Sequence, residues 1–374
     1  MKQEKKDEYK MKIMFVIDGW GGGGAERVIC NLASYLVRRH EVSIVSFGGN
    51  ERYSVNEKVK LYNDVDTTIF LEEKNKIKKA FLFLRRVKKF NKCKKEIQPD
   101  IIISFLSIPN YVVLFSNMFK KVKVIISERN DPNVFYSSFR SKFLMNWLYP
   151  KTDGFVFQTE KVKQYFKKRI QEKGTVIANP INEKFIGKVY KGERKKEIVS
   201  VGRLVDQKNH KLLINVFANI SKKYPDYKLI IYGEGGLRGE LTKLIEDLNL
   251  KEKVVLYGNA SNIEEKIYDA EMFVLPSIWE GMPNSLMEAM ALGLPCIATN
   301  CPSGGPEFLI QNDVNGILIE CDNGKNLEDA IKKILDDKEF AKKIGENASK
   351  IAETLNPDEI YKKWESYIEF IYNS

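Results

Sequence analysis

The amino-acid sequence predicts an α/β fold built from two doubly wound, mostly parallel sheets, and three observations carry that expectation. Short β-branched or apolar runs alternate with longer helical patterns along almost the whole chain, the mark of strand-helix-strand units. Each half of the chain holds its own set of about six such runs. A polar stretch at 187–196, rich in Gly, Lys, Glu and Arg, separates two strand runs and marks a join between domains. A length of 374 residues agrees with two domains at roughly 100–200 residues each.

In the first half, strands are expected at 12–17, 42–47, 101–105, 122–126, 154–157 and 175–178, with helices at 26–38 and 74–97. In the second half they are expected at 197–201, 228–232, 254–257, 272–275, 296–298 and 316–319, with helical patterns in the gaps. Open parallel sheets bind ligands beyond the carboxyl ends of their strands, so motifs just after a strand carry the most weight.

Composition excludes a disordered chain, a fibre and a small disulfide-stapled scaffold: 43% of residues are hydrophobic and 30% charged, and mean hydropathy is −0.34. Five widely spaced cysteines, Cys30, Cys93, Cys296, Cys301 and Cys321, form no paired zinc-binding pattern and suit a reducing compartment. The charged start MKQEKKDEYK and a short apolar run ending at Asp18 read against a secretory leader. No apolar run approaches the roughly 18–20 residues of a membrane-spanning helix, so a soluble or peripheral protein is expected. Net charge is +11, split as +16 over residues 1–187 and −5 over the rest. A basic first domain fits a polyanion, either nucleic acid or an anionic membrane surface.

Three motifs follow strands. Asp18-Gly19-Trp20-Gly21-Gly22-Gly23-Gly24-Ala25-Glu26-Arg27 leaves the first strand and enters a helix, where amides without Cβ atoms can line a surface for an anion. Gly19, Gly21 and Gly24 also satisfy GxGxxG, but the second strand ends Ser46-Phe47-Gly48 without the ribose-binding acid of a dinucleotide site. Gly202-Arg203-Leu204-Val205-Asp206-Gln207-Lys208-Asn209 sets a planar donor and a point charge on a strand-to-helix loop, suited to a diphosphate. A solvated Arg and Lys is the plainer alternative. The run Ser277 to Met290 follows a buried strand: Pro283 suits a helix start, Asn284 and Ser285 leave free amides there, and Glu280 and Glu288 bracket it. The plainer alternative is a capping Glu280 and a surface Glu288.

Together, Gly202-Arg203-Leu204 with Lys208-Asn209, Tyr232-Gly233-Glu234-Gly235, Tyr257-Gly258-Asn259 and the stretch Glu280 to Glu288 resemble glycosyltransferase family 4 of the bacterial surface-glycan type, in that family's order and spacing. The resemblance covers nearly the whole chain and is strongest over 202–318. It implies the GT-B fold, two Rossmann-like domains facing across a deep cleft: an acceptor-side domain at 1–187, a nucleotide-sugar domain at 188–355, and a helix at 356–374 crossing back to the first. It implies a retaining transfer from a UDP-sugar, a hexose or N-acetylhexosamine, with no metal or other cofactor and no assigned enzyme nucleophile. Arg203 and Lys208 would hold the donor diphosphate, Glu280 would stand by the transferred sugar, and Glu288 would accept from the ribose hydroxyls. Gly202, Glu234, Gly258 and Asn259 would lie along the donor, the last two by its base. The backbone of Gly281, Met282, Pro283, Asn284 and Ser285 would reach the sugar and phosphates, and Gly21, Gly22, Gly23 and Gly24 would close over the diphosphate. Asp64-Val65-Asp66 matches the DxD of a metal-dependent glycosyltransferase fold and reads as a chance match in a polar loop. The sequence departs from the family at its first-domain histidine: only His40 and His210 occur, and the corresponding stretch reads Ser127-Glu128-Arg129-Asn130-Asp131-Pro132, leaving Glu128 or Arg129 for that acceptor-side contact.

From Lys74 to Lys95 there are eleven Lys and Arg and no acid, with Ile77, Phe81, Leu84 and Val87 at helical spacing and Phe83 and Phe90 on a flank. This is a basic amphipathic helix for an anionic bilayer, in which Lys78, Lys79, Arg85, Arg86, Lys88 and Lys89 would face the membrane. Alternatively its apolar stripe packs the domain and the lysines are solvated. Similar enzymes build lipid-linked or surface glycans, so an undecaprenyl-linked or other lipid acceptor at the cytoplasmic face of the membrane is expected. No nucleic-acid-binding pattern accompanies the charge. An epimerase or phosphorylase on the same fold, or a non-catalytic basic membrane-binding protein, are the competing readings.

Overall fold

The computed structural model describes residues 10–20, 23–48, 53–63, 75–119 and 122–374. These divide into two compact units, one ending at Ala178 and taking in Asp358–Ser374, the other Asn179–Pro357.

The first unit runs β1 (Lys12–Ile17), α1 (Gly24–Leu36), β2 (Glu41–Ser46), β3 (Lys60–Asn63), α2 (Lys76–Ile97), β4 (Ile101–Phe105), α3 (Ser107–Ser116), β5 (Lys123–Ser127), α4 (Pro132–Phe135), α5 (Phe139–Leu148), β6 (Gly154–Phe157), α6 (Glu160–Tyr165), α7 (Lys168–Gln171) and β7 (Gly174–Val176). Its described strands form a parallel sheet in the order β3-β2-β1-β4-β5-β6-β7. The buried runs of β1 and β4 read as continuous apolar sequence because both faces are covered. The strand missing from the sequence reading is β3: KLYN lies at the edge, half exposed, and carries no apolar run.

On one face of this sheet α2, α3, α5 and the segment after β6 pack into one core, with Val87, Phe90, Val113, Met145, Leu148 and Phe166 among its members. Here α2 departs from expectation. Its packing side is Phe83, Val87 and Phe90, while Ile77, Phe81 and Leu84 are 82%, 67% and 55% exposed. Arg86, expected to face a membrane, is buried: it pairs with Asp18 at 2.9 Å and lies 5.3 Å over the Phe47 ring. Lys78, Arg85 and Lys88 are exposed, and Lys79 and Lys89 are half-buried.

The second unit runs β8 (Lys195–Val201), α8 (His210–Lys223), β9 (Lys228–Tyr232), α9 (Arg238–Asp247), β10 (Val254–Gly258), α10 (Ile263–Ile267), β11 (Ala270–Leu275), α11 (Asn284–Ala291), β12 (Cys296–Thr299), α12 (Gly305–Leu309), β13 (Ile317–Ile319), α13 (Gly324–Asp336), α14 (Lys338–Ser349) and α15 (Ile351–Thr354). Its sheet is parallel in the order β10-β9-β8-β11-β12-β13. Ahead of β8, the chain already belongs to this unit before the polar stretch at 187–196: the Ile181 amide donates to the Leu355 carbonyl at 3.1 Å and Phe185 is buried.

The last helix, α16 (Pro357–Asn373), returns to the first unit. Trp364, fully buried, meets the Phe105 ring at 5.6 Å, and Tyr361 meets Tyr35 at 5.2 Å. Glu365 accepts from Arg39 at 3.3 Å and from Tyr35 at 3.4 Å, and Tyr367 bridges the Phe155 amide and the Lys173 carbonyl.

Candidate functional site

In each sheet the strand order reverses once, between β1 and β4 and between β8 and β11, and loops leaving strands on either side of such a reversal splay apart into a crevice. In the second unit those loops are 202–209 after β8 and 276–283 after β11, the two strongest motifs of the sequence. They are laced together. The Ile278 amide donates to the Gln207 carbonyl at 2.9 Å, and the Gln207 side chain donates to the Trp279 carbonyl at 2.9 Å.

That lacing brings Lys208 Nζ to 2.5 Å from Glu280 Oε1, which also accepts from Ser277 Oγ at 2.7 Å. The pair is largely removed from water, with side chains 13% and 8% exposed. Arg203, by contrast, stands exposed on the same loop. His210 opens α8 with its ring buried near the Gly202 and Arg203 carbonyls; burial, reinforced by Lys208, lowers it to about 4, so the ring is neutral at neutral pH.

Gly202, Gly233 and Gly258 are needed for close backbone approach. The Gly202 amide donates to the Tyr232 carbonyl at 2.9 Å, and a Cβ on Gly233, at φ +139°, would meet the Gly202 carbonyl oxygen at 2.0 Å. Gly258 adopts φ +89° against Glu234, whose carboxylate takes a two-point contact from Arg238 at 2.7 and 2.5 Å. Asn259 follows, exposed.

Pro283 precedes α11 and caps it with no side chain, leaving Asn284 and Ser285 in the first turn and Glu288 one turn on, 6% exposed. Met282 is buried under Asn179, whose side chain donates to Asn284 Oδ1 at 2.8 Å. Gly281 is clamped from outside: a Cβ on Gly305 would lie 1.7 Å from the Gly281 carbonyl oxygen, and Ser303 donates to the Glu280 carbonyl. Ser277, Gln207, Asn179, Ser303 and Gly305 all position this loop; sequence reasoning placed Ser277 and Gln207 inside motifs without a role and passed over the other three. Only Ser277, three residues before Glu280, had a spacing that could have drawn notice.

In the first unit, Gly23 caps α1 and Gly24 opens it; Gly21 and Gly22, like Asp64 and Asp66, lie outside the described residues. Trp20 is buried, its indole N–H donating to Asn63 at 2.9 Å. Asp18 is pushed up by burial, partly offset by Arg86. Both acceptor-side candidates are buried. Glu128 is a core carboxyl accepting from Tyr149, from Tyr136 at 2.7 Å, Asn110 at 3.1 Å and Ser107 at 3.3 Å, and burial raises it. Arg129 is 7% exposed, its guanidinium 4.1 Å over the Phe105 ring and 5.5 Å from that of Trp364, and burial lowers it to about 9.

A cavity of about 650 Å³ lies at the opposite, amino edge of the second sheet, against Arg194, Tyr227, Glu271 and Lys338. Two of its cations are engaged, Lys338 by Glu271 at 2.8 Å and Arg194 by the Ala270 and Gly293 carbonyls. It sits away from the carboxyl edge where the motifs converge.

Comparison with known proteins agrees with this geometry. Residues 182–351 match the family Glycosyl transferases group 1, and residues 22–185 match Glycosyltransferase Family 4. A Campylobacter jejuni protein named N-acetylgalactosamine-N,N'-diacetylbacillosaminyl-diphospho-undecaprenol 4-alpha-N-acetylgalactosaminyltransferase is 32% identical over 374 aligned residues, covering 96% of this chain and 99% of that one. The chain belongs to glycosyltransferase family 4. An Escherichia coli UDP-Gal:alpha-D-GlcNAc-diphosphoundecaprenol alpha-1,3-galactosyltransferase is 34% identical to this family 4 glycosyltransferase over 178 residues, 44% of this chain and 46% of that one. Among solved structures, sucrose-phosphate synthase from Thermosynechococcus elongatus superposes with a TM-score of 0.82 at 17% identity, covering 97% of this chain and 99% of that one. A Staphylococcus aureus TarM mutant in complex with UDP, among other ligands, superposes at 0.77 and 17% identity over 97% of this chain and 100% of that one. These likenesses show the GT-B fold.

Proposed function

We propose that this glycosyltransferase moves a hexose or N-acetylhexosamine from a UDP-sugar, with retention at the anomeric carbon, onto an undecaprenyl-diphosphate-linked saccharide at the cytoplasmic face of the membrane. The observation that carries the donor half of this reading is the buried Lys208–Glu280 contact beside exposed Arg203, at the carboxyl edge of β8 and β11. Relatives whose names specify diphospho-undecaprenol acceptors support the acceptor half, and complexes of structural relatives with UDP support the nucleotide.

In this reading the diphosphate lies over the 202–209 loop and the start of α11. Arg203 and Lys208 stabilise charge as it builds on the departing UDP, and the Asn284 and Ser285 amides add donors to the phosphates. Glu288 accepts from the ribose hydroxyls. Glu280, already held by a cation and a hydroxyl, is poorly placed to serve as a free nucleophile. It orients Lys208 and the sugar instead. The acceptor hydroxyl then attacks the face the UDP leaves, the glycosidic bond forms as the sugar-phosphate bond breaks, and the hydroxyl proton goes to the departing phosphate. Positioning and leaving-group stabilisation supply most of the rate, and no metal takes part.

The test is a donor screen, with UDP-, GDP- and ADP-sugars offered to wild type and Glu288→Ala alongside an undecaprenyl-diphosphate saccharide. Selective UDP release that Glu288→Ala abolishes supports the reading, and the anomeric configuration of the product, read by NMR, decides retention. Equal turnover of the three nucleotides refutes it.

A further inference from the structure

We propose that α5 is a second membrane-docking element, an aromatic foot that inserts into an anionic bilayer beside the basic helix α2. The proposal rests on the reading of a membrane-bound acceptor and assigns residues that the motifs do not touch.

Three large side chains spaced four residues apart, Phe139, Phe143 and Trp147, lie on one side of α5 and are 84%, 63% and 42% exposed. The opposite side is anchored, Met145 at 3% and Leu148 at 1% exposed within the domain core. The helix is therefore firmly seated, with an aromatic face that stays exposed among the described residues. Phe135 on α4, 46% exposed, extends the same surface chemistry.

Charge selects the occupant. Residues 132–152 contain Arg140, Lys142 and Lys151 and no acid. All three cations are exposed, and the Lys151 ammonium lies 4.9 Å over the Trp147 ring. Aromatics flanked by cations fit the headgroup zone of an anionic leaflet, where rings sit among acyl carbonyls and lysines reach phosphates.

Topology places this face with the exposed half of α2. Both helices pack on the same side of the sheet as α3, and Phe83 of α2 meets Phe115 of α3 at 5.9 Å. As crossover helices they run against the strands, so their first turns lie at the carboxyl edge. With 22 residues α2 is about 33 Å long against about 17 Å for β4, so its start, with Ile77 and Phe81, projects well past that edge. The N-terminal turns of α5, with Phe139 and Phe143, face the same edge. Two apolar strips framed by cations thus address one flat surface.

The experiment compares full-length wild type, a Phe139→Gln/Phe143→Gln/Trp147→Gln variant and a Lys78→Gln/Arg85→Gln/Lys88→Gln variant. Each is sedimented with phosphatidylglycerol-containing vesicles and with neutral phosphatidylcholine vesicles. The α5 variant should bind anionic vesicles at least about tenfold more weakly than wild type. Its circular dichroism and its UDP release should match wild type, because the substituted side chains are exposed and belong to none of the donor motifs. Trp147 emission should shift to the blue on vesicle binding and be quenched by brominated lipid. Wild-type binding retained in the α5 variant overturns the α5 assignment alone and leaves α2 to be judged from its own variant. Failure of wild type to bind either vesicle overturns the membrane reading itself. Concentration-dependent dimerisation of wild type that the α5 variant loses, with vesicle binding unchanged, assigns the face to a second copy and overturns the proposal.

Discussion

Replacing Lys208 by Met removes the cation that faces Glu280 and leaves that carboxylate buried with Ser277 as its remaining partner in the contact. At 2.5 Å the Coulomb attraction of the pair is about 7 kcal/mol with an effective dielectric of about 20, most of it offset by the cost of drying two ions. Breaking such a pair from one side costs about 3–5 kcal/mol, because the stranded charge keeps its desolvation cost. Lys208→Met should therefore lower urea stability by that amount. Glu280→Gln should cost less, because the lysine stem, 13% exposed, can swing its ammonium to water. The double variant Lys208→Met/Glu280→Gln should recover about 2 kcal/mol or more of the single loss, the coupling that a double-mutant cycle reads. Activity behaves differently. With the cation gone from the leaving group, sugar transfer should fall about 10²–10³-fold in Lys208→Met and stay there in the double variant. Urea unfolding and UDP release measured on the same preparations separate the two effects. A Lys208→Met protein as stable as wild type, or a double variant that regains activity, would refute the reasoning.

Other expectations follow from single contacts. Gly305→Ala forces a methyl against the Gly281 carbonyl, so the 281–283 turn must shift; about 1–3 kcal/mol of stability and most donor binding should be lost, checked by unfolding and UDP titration. His210 binds a proton more weakly folded, at about 4, than unfolded, at 6.5, so stability is full above pH 6.5 and falls toward pH 4 by up to about 3 kcal/mol; His210→Gln should flatten that part of the profile. Glu128→Ala strands the Tyr149, Tyr136 and Asn110 donors and should cost about 2–4 kcal/mol, while KM for the acceptor in the surviving folded protein stays near wild type. Transfer should persist in excess EDTA, and its loss with recovery on added Mn²⁺ or Mg²⁺ would overturn the metal-free reading.

What could be read from sequence was what local physics imposes. Continuous apolar runs such as KIMFVI and AEMFVL are strands buried on both faces, and the alternation of strand and helix fixes parallel pairing. Because open parallel sheets bind ligands beyond the carboxyl ends of their strands, the loops after β8 and β11 could be singled out before their contact was known. What escaped was set by tertiary partners. Arg86 has the look of another exposed cation in a lysine-rich helix until Asp18, 68 residues earlier, is found beside it. Glu128 and Arg129 follow a strand, the usual place for a ligand contact, yet Tyr136 and Tyr149, 8 and 21 residues beyond Glu128, and Trp364 of the last helix pack against them. Edge strand β3 carries no burial signal because half of it has none to give.

The return of α16 sets an order of events during synthesis. The first unit is not finished when its last strand emerges: Phe105, Tyr35 and the Phe155 amide still await Trp364, Tyr361 and Tyr367, which are translated only after Asn179–Pro357. At about 5–20 residues per second the ribosome leaves that aromatic strip uncovered for on the order of ten seconds or more. The nascent chain therefore carries a sticky, half-built domain alongside a second domain that can complete itself first. A holding chaperone should find its target on the Phe105 face, and release should coincide with arrival of the final helix.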